Sequence, residues 1–111
     1  MEYINIDDFS KIEIKIGQII EAEKLEESNK LLKLRVDFGG DDLRQVLSGI
    51  AKWYNAEDII NKKFAFVTNL EPRSMLGYES QAMILASQDE NTNIVTVLTP
   101  DKDVSPGSKV N

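Results

Sequence analysis

The sequence predicts an all-β domain, a small closed or nearly closed barrel with a short helical insertion and extensions at both ends. Three observations carry this expectation. Apolar residues alternate with polar ones over short segments, turn-forming residues separate those segments, and one stretch between strands, residues 49–60, has helical character instead. At 111 residues the chain makes one domain, 1–111, long enough for a real core and too short for a second.

Taken in order, Ile6 to Phe9 reads as a helical turn capped by Asp7 or Asp8. Ile12, Ile14 and Ile16 alternate with Glu13 and Lys15, the pattern of a half-buried strand, which runs loosely past Gly17 through Ile19 and Ile20. An isolated glycine in that strand implies a bulge or bend of the kind a barrel needs. Glu21 to Asn29 reads as a polar loop. In Leu32-Lys33-Leu34-Arg35-Val36-Asp37 the apolar side chains share the core face and the charged ones share the other, because successive strand residues point to opposite sides. Phe38 to Asp42 is a hairpin turn, and Leu43 to Leu47 returns as an antiparallel neighbour. Ile50 to Tyr54 makes a turn of helix, and Asn55 caps a second one whose first turn carries Glu57 and Asp58. Phe64 to Val67 forms a further strand, as do Met83 to Leu85 and Ile94 to Leu98 around the turn Asp89 to Asn93. Pro100, Pro106 and Gly107 break up the tail. An OB-fold fits this order; an SH3-like barrel and an irregular α+β domain share its signals.

Composition excludes several functions. There is no cysteine and no histidine, which removes disulfides, thiolate nucleophiles, imidazole bases and the usual zinc-ligand sets. No acid–base pair or nucleophile constellation is visible, so no catalytic residue, metal or cofactor is expected. A cysteine-free chain with no charged-then-apolar leader and no long apolar run points to the cytoplasm, with no membrane partner. The net charge of −6 argues, as an average, against a polyanionic ligand, but it is unevenly spread. Residues 1–27 carry a net −5 and residues 81–111 a net −2, whereas residues 28–80 carry +1, enough for a basic face where the acids point elsewhere.

The most informative stretch is Asn69 to Ala86, in which Pro72, Gly77 and a run of hydrogen-bonding side chains separate two apolar segments. It contains Gly77-Tyr-Glu-Ser80-Gln-Ala-Met83, a Gly-x-Glu-Ser-x-x-Met pattern, and follows Lys30-Leu-Leu-Lys-Leu-Arg-Val-Asp37 and Arg44-Gln-Val-Leu-Ser-Gly-Ile-Ala51. Together these segments resemble the tRNA-binding domain that ends bacterial methionyl-tRNA synthetases and also occurs as a free-standing dimeric protein. The likeness runs from about Ile6 to Val110. It implies a five-stranded OB-fold, tRNA as the partner, a homodimer joined through Tyr3 to Phe9 and the Ile94 to Leu98 strand with its tail, and an aminoacyl-tRNA synthetase catalytic domain as a further partner.

The candidate tRNA-binding residues are Lys33, Arg35, Arg44, Ser48, Asn69, Arg73, Met75, Ser80 and Met83. Lys33 and Arg35 share strand parity and, with Arg44 on the neighbouring strand, can line one face and meet phosphates. The plainer alternative is a solvated charged face in which they pair with Asp37 or a glutamate. Asn69 offers an amide to a base edge or ribose, Arg73 a planar fork to phosphate, and Met75 a flexible apolar contact to a base. Equally, Asn69 can bond its own turn, Arg73 can pair with Glu71 or Glu79, and Met75 can fill a gap. Ser48, Ser80 and Met83 enter through the resemblance, while Trp53 and Tyr54 are assigned to packing and Lys52 to a peripheral role. Ser74 departs from related sequences, which often carry a second basic residue there. The other functional class these residues allow is a dimerisation or chaperone-like OB-fold module related to export chaperones, which needs no RNA.

Overall fold

A computed structural model describes all 111 residues. Its framework is one six-stranded antiparallel sheet curled into a nearly closed barrel. Strand β1 (Ile14–Lys24) is central: Ile14 to Gln18 pair with β4 (Lys63–Val67), and Gln18 to Lys24 pair with β2 (Leu32–Asp37). Strand β2 pairs in turn with β3 (Leu43–Ser48), and β4 with the short β7 (Met83–Ile84). The C-terminal β10 (Lys109–Val110) pairs with Ile14 and Lys15 of β1. Two hairpins lie outside this sheet, β5 (Arg73–Met75) with β6 (Tyr78–Ser80), and β8 (Ala86–Asp89) with β9 (Ile94–Val97). The all-β barrel with a small helical insertion is thus the architecture the alternation predicts, the helices being only α1 (Ile6–Ser10) and α2 (Ala56–Ile59).

The two ends of the sheet meet along β3. Gln81 N–H donates to the Gln45 carbonyl at 2.8 Å, and Gln45 N–H donates to the Gln81 side-chain oxygen at 2.9 Å. The Gln45 amide donates to the Glu79 carbonyl at 2.9 Å, and Leu47 N–H donates to the Ser80 hydroxyl at 3.0 Å. Side chains therefore finish a seam that backbone pairing alone leaves open, satisfying groups that an exposed strand edge would present to solvent.

Leu32, Leu34 and Val36 point inward as their parity requires, and join Ile19, Val46, Phe64, Phe66 and Ile84 in one core. Phe38 meets Phe66 edge to face at 5.3 Å between ring centroids. Trp53 packs the insertion, donating its indole N–H to the Asn93 carbonyl at 2.9 Å, and the Tyr54 hydroxyl accepts from Val97 N–H at 3.1 Å. Both aromatics thus tie the insertion to the β8–β9 hairpin.

The structure revises several boundaries. Strand β1 continues to Lys24, so Glu21 to Lys24, expected in a polar loop, pair with β2. Its register shifts at Ile20 and not at Gly17, which instead lies against the core: a β-carbon there would come within 2.5 Å of Val36 and 2.7 Å of Phe38. Asn5, not Asp7 or Asp8, caps α1, its side-chain oxygen accepting Asp8 N–H at 2.8 Å. Strand β9 is only partly available to a second subunit, because Val97 lies in the core while Ile94 and Leu98 are exposed.

Candidate nucleic-acid interface

The outer face of β1, β2 and β3 carries Glu21 and Glu23, Lys33 and Arg35, and Gln45, side by side because cross-strand partners point the same way. Glu23 is opposite Lys33, Glu21 is opposite Arg35, and Arg35 is opposite Gln45. The Lys33 ammonium bonds the Glu23 carboxylate at 2.9 Å and sits 4.8 Å from the Tyr78 ring centroid. That bond raises the Lys33 pKa above the ordinary lysine value, outweighing the opposing effect of desolvation. Arg35 is exposed, and its guanidinium takes part in none of the five ion pairs and in no hydrogen bond. The face is therefore mixed in charge, with one engaged cation and one free one.

Arg44 is not on that face. It stands opposite Val36, whose side chain is in the core, so its parity carries it to the inner side at the barrel's end. There the guanidinium forks onto Asp42, Nε to Oδ1 at 2.9 Å and Nη2 to Oδ2 at 3.1 Å. Its Nη1 donates to the carbonyls of Thr68 at 2.6 Å and Gln81 at 3.3 Å, and the group lies 5.3 Å from the Phe38 ring. The shared phosphate-facing surface expected for Lys33, Arg35 and Arg44 is corrected accordingly: the third cation clasps the barrel, and four of its five donors are occupied. Ser48 pairs with Leu32 on the same inner parity and is buried, where an accessible hydroxyl at the barrel mouth was expected.

Hairpin β5–β6 leans over the outer side of β3. Arg73, Met75, Ser80 and Met83 come together there around a cleft of about 70 Å³ that Leu47, Leu70, Glu71 and Ala82 complete. Arg73 is exposed and pairs with neither Glu71 nor Glu79. Met83 is exposed and Met75 half-buried. Ser80, by contrast, is buried with its hydroxyl committed at both ends, accepting from Leu47 N–H and donating to the Ala82 carbonyl, each at 3.0 Å.

Asn69 does not join this cleft as the loop's composition led one to expect. Its side-chain oxygen accepts Glu13 N–H at 2.8 Å and its amide donates to the Lys11 carbonyl at 2.7 Å, so it fastens the N-terminal segment to the end of β4. Thr68 beside it donates its hydroxyl to the Glu13 carboxylate at 2.6 Å. That bond, with Lys15 nearby, holds the Glu13 carboxyl below the usual carboxylate range. Replacing Asn69 with Ala is expected to lower stability by about 1–2 kcal/mol through two lost hydrogen bonds, with unchanged ligand affinity per folded molecule. Thermal melts beside binding titrations check it; an affinity loss with no change in melting temperature would return Asn69 to the interface.

Sequence reasoning missed Gln45 and Tyr78. Gln45 follows Arg35 by register and Tyr78 supports Lys33 by contact, and neither relation has a local signal. Gln81 is one of the hydrogen-bonding side chains of the Asn69 to Ala86 stretch, and its side-chain oxygen is taken by Gln45 N–H in the seam.

A nearly closed antiparallel barrel with a small helical insertion, two unpaired arginines on its outer side and a small cleft under the β5–β6 hairpin, defines a module of the OB type. The family profile described as "Putative tRNA binding domain" matches residues 14–109. Methionine–tRNA ligase of Methanococcus aeolicus is 51% identical over 110 residues, and that of Caldanaerobacter subterraneus is 44% identical over 110 residues. Each match covers 99% of this chain and 16% or 17% of the relative, so the chain spans about a sixth of their length. Among solved structures, a MetRS related protein from Pyrococcus horikoshii superposes with a TM-score of 0.92 at 37% identity, covering 99% of both chains. The chaperone CsaA from Bacillus anthracis superposes with a TM-score of 0.89 at 28% identity, covering 99% of this chain and 100% of that one. The chain belongs to the tRNA-binding domain family whose members include a segment of methionyl-tRNA synthetases.

Proposed function

We propose that this chain is a non-catalytic module that binds tRNA by its shape and backbone, with Arg35 and Arg73 meeting phosphates and the Met75–Met83 cleft taking apolar contacts. The observation that carries the reading is that these two arginines are exposed and in no ion pair, Arg35 on the outer face of β2 and Arg73 on the β5–β6 hairpin that is hydrogen-bonded to the neighbouring β3. Phosphate contacts position such a module and supply affinity without reading sequence. Lys33 contributes less than its position implies, because binding a phosphate must compete with Glu23. With a net charge of −6 the intrinsic affinity is modest, and linkage to a methionyl-tRNA synthetase catalytic domain would raise the effective concentration of tRNA there. A filter-binding titration with total tRNA at two salt concentrations tests this: binding that weakens steeply with salt and varies little among tRNA species is expected. Salt-independent binding, or none, would overturn it.

The protein works as a homodimer. Helix α1 buries none of its residues within the subunit; Tyr3 and Ile4 before it are exposed, and Ile6, Phe9, Ile12 and Val110 expose apolar surface along one groove between the N-terminal segment and β10. A two-fold contact of that surface covers it twice at once. Sedimentation of the full chain is expected to report a dimer, and Ile6→Asp to shift it to monomer at micromolar concentration with the barrel still folded. A wild-type monomer at high micromolar concentration would defeat the assignment. The likeness to the CsaA chaperone supports a second reading, in which the same module holds unfolded polypeptide. An apolar peptide that competes with tRNA would favour it.

A further inference from the structure

Three residues other than glycine have a positive φ. Two are Asn61 at 72° and Asn93 at 59°, the residue type that tolerates this region; the third is Leu76 at 52°. Leu76 and Gly77, whose φ is 82°, form the two-residue loop of the β5–β6 hairpin, between the paired Met75 and Tyr78. A loop with both central residues in this region favours Asn-Gly or Asp-Gly. Leucine is crowded there, and burial gives little back, since the residue is 54% exposed. Backbone strain of this kind in an exposed apolar residue points to a contact made outside the subunit.

We propose that Leu76 is an apolar wedge that packs against an unstacked base of bound RNA. The inference rests on the tRNA-binding reading above and adds a specific contact to it. A base fits the tip better than an apolar peptide or a second subunit, because cations flank it. Arg73 precedes the tip on the same hairpin with a free guanidinium, and Tyr78 just after it holds the Lys33 ammonium at 4.8 Å from its ring. A nucleotide offers that arrangement what it needs, an apolar face between two phosphates. Exposed Leu70 and Met83 continue the apolar surface along the cleft behind the tip. Unpaired bases of folded RNA are held in this way by stacking and wedging side chains.

The test compares the full chain with Leu76→Asn and Leu76→Met against total tRNA at two salt concentrations, beside thermal melts and sedimentation. Leu76→Asn is expected to melt at or above the wild-type temperature while its affinity falls by about five- to tenfold, the order of one lost base contact. The salt slope should not change, since an apolar contact releases no counterion. Leu76→Met should stay within about twofold of wild type, being apolar and of similar volume. Wild-type affinity in Leu76→Asn, with Arg73→Gln weakened, would overturn the wedge and leave the tRNA reading standing. A lower melting temperature for Leu76→Asn, or a shallower salt slope, would also overturn it. So would conversion of a dimer to monomer, or loss of binding to an unfolded apolar peptide with tRNA affinity intact. Absence of wild-type tRNA binding at both salt concentrations would remove the tRNA reading itself, and the wedge with it.

Discussion

The double variant Arg35→Gln/Arg73→Gln is expected to bind total tRNA roughly a hundredfold more weakly than wild type at 0.1 M monovalent salt, if each arginine neutralises one phosphate. Each such contact releases about one counterion, so the log–log salt slope should become shallower by about two units, and each single variant by about one. The loss should be uniform across tRNA species, because backbone contacts carry no sequence information. Arg44→Gln is the informative contrast. Its fork is spent on Asp42, Thr68 and Gln81, so its removal should lower the melting temperature and leave the slope alone. Lys33→Gln falls between the two, because the ammonium must leave Glu23 to reach a phosphate. Filter binding at two or more salt concentrations, beside thermal melts, measures all five variants. An unchanged slope in the double variant, with folding intact, would mean that the two arginines merely decorate a solvated surface.

Gly107→Ala is expected to destabilise the fold by about 2–4 kcal/mol, against about 1–2 kcal/mol for Gly40→Ala. Both glycines have a positive φ, 91° and 59°, so both substitutions meet the left-handed crowding of an L residue. They differ in surroundings. A β-carbon at Gly40 meets nothing within 4 Å, whereas one at Gly107 runs into the backbone carbonyl of Phe38. That neighbour cannot rotate away, and Gly107 N–H also donates to the Ile16 carbonyl at 2.7 Å, so the tail would have to lift from β1. Denaturant unfolding of the two variants separates the common backbone cost from the clash. Equal losses would show that the tail is loosely held.

Much of this could be read from local sequence. Leu32 to Asp37 placed three apolar residues inside and put Lys33 and Arg35 outside, because side-chain direction in a strand depends only on parity. The stretch from Asn69 to Ala86, read as a loop, instead forms the β5–β6 hairpin, and Arg73, Met75 and Met83 do line its cleft. Ser80 and Asn69 show the limit of composition. Both carry groups able to bind RNA, and in both those groups are taken up within the subunit.

The sequence by itself determined the faces of β2, the turn from Phe38 to Asp42, the lack of histidine and cysteine chemistry, and the family, all of which depend on residues near one another in the chain or on their types. Tertiary structure alone decided which cations are free. Arg44 lost its place on the outer face through the register that set it opposite Val36, and register follows from which hairpin closes and how the seam at Gln45 and Gln81 is made. Asn69 was captured by Lys11 and Glu13, more than fifty residues earlier in the chain. A donor or acceptor has no memory of sequence distance: once buried or bridged it takes the nearest partner the fold supplies, and only those left without one remain for a ligand.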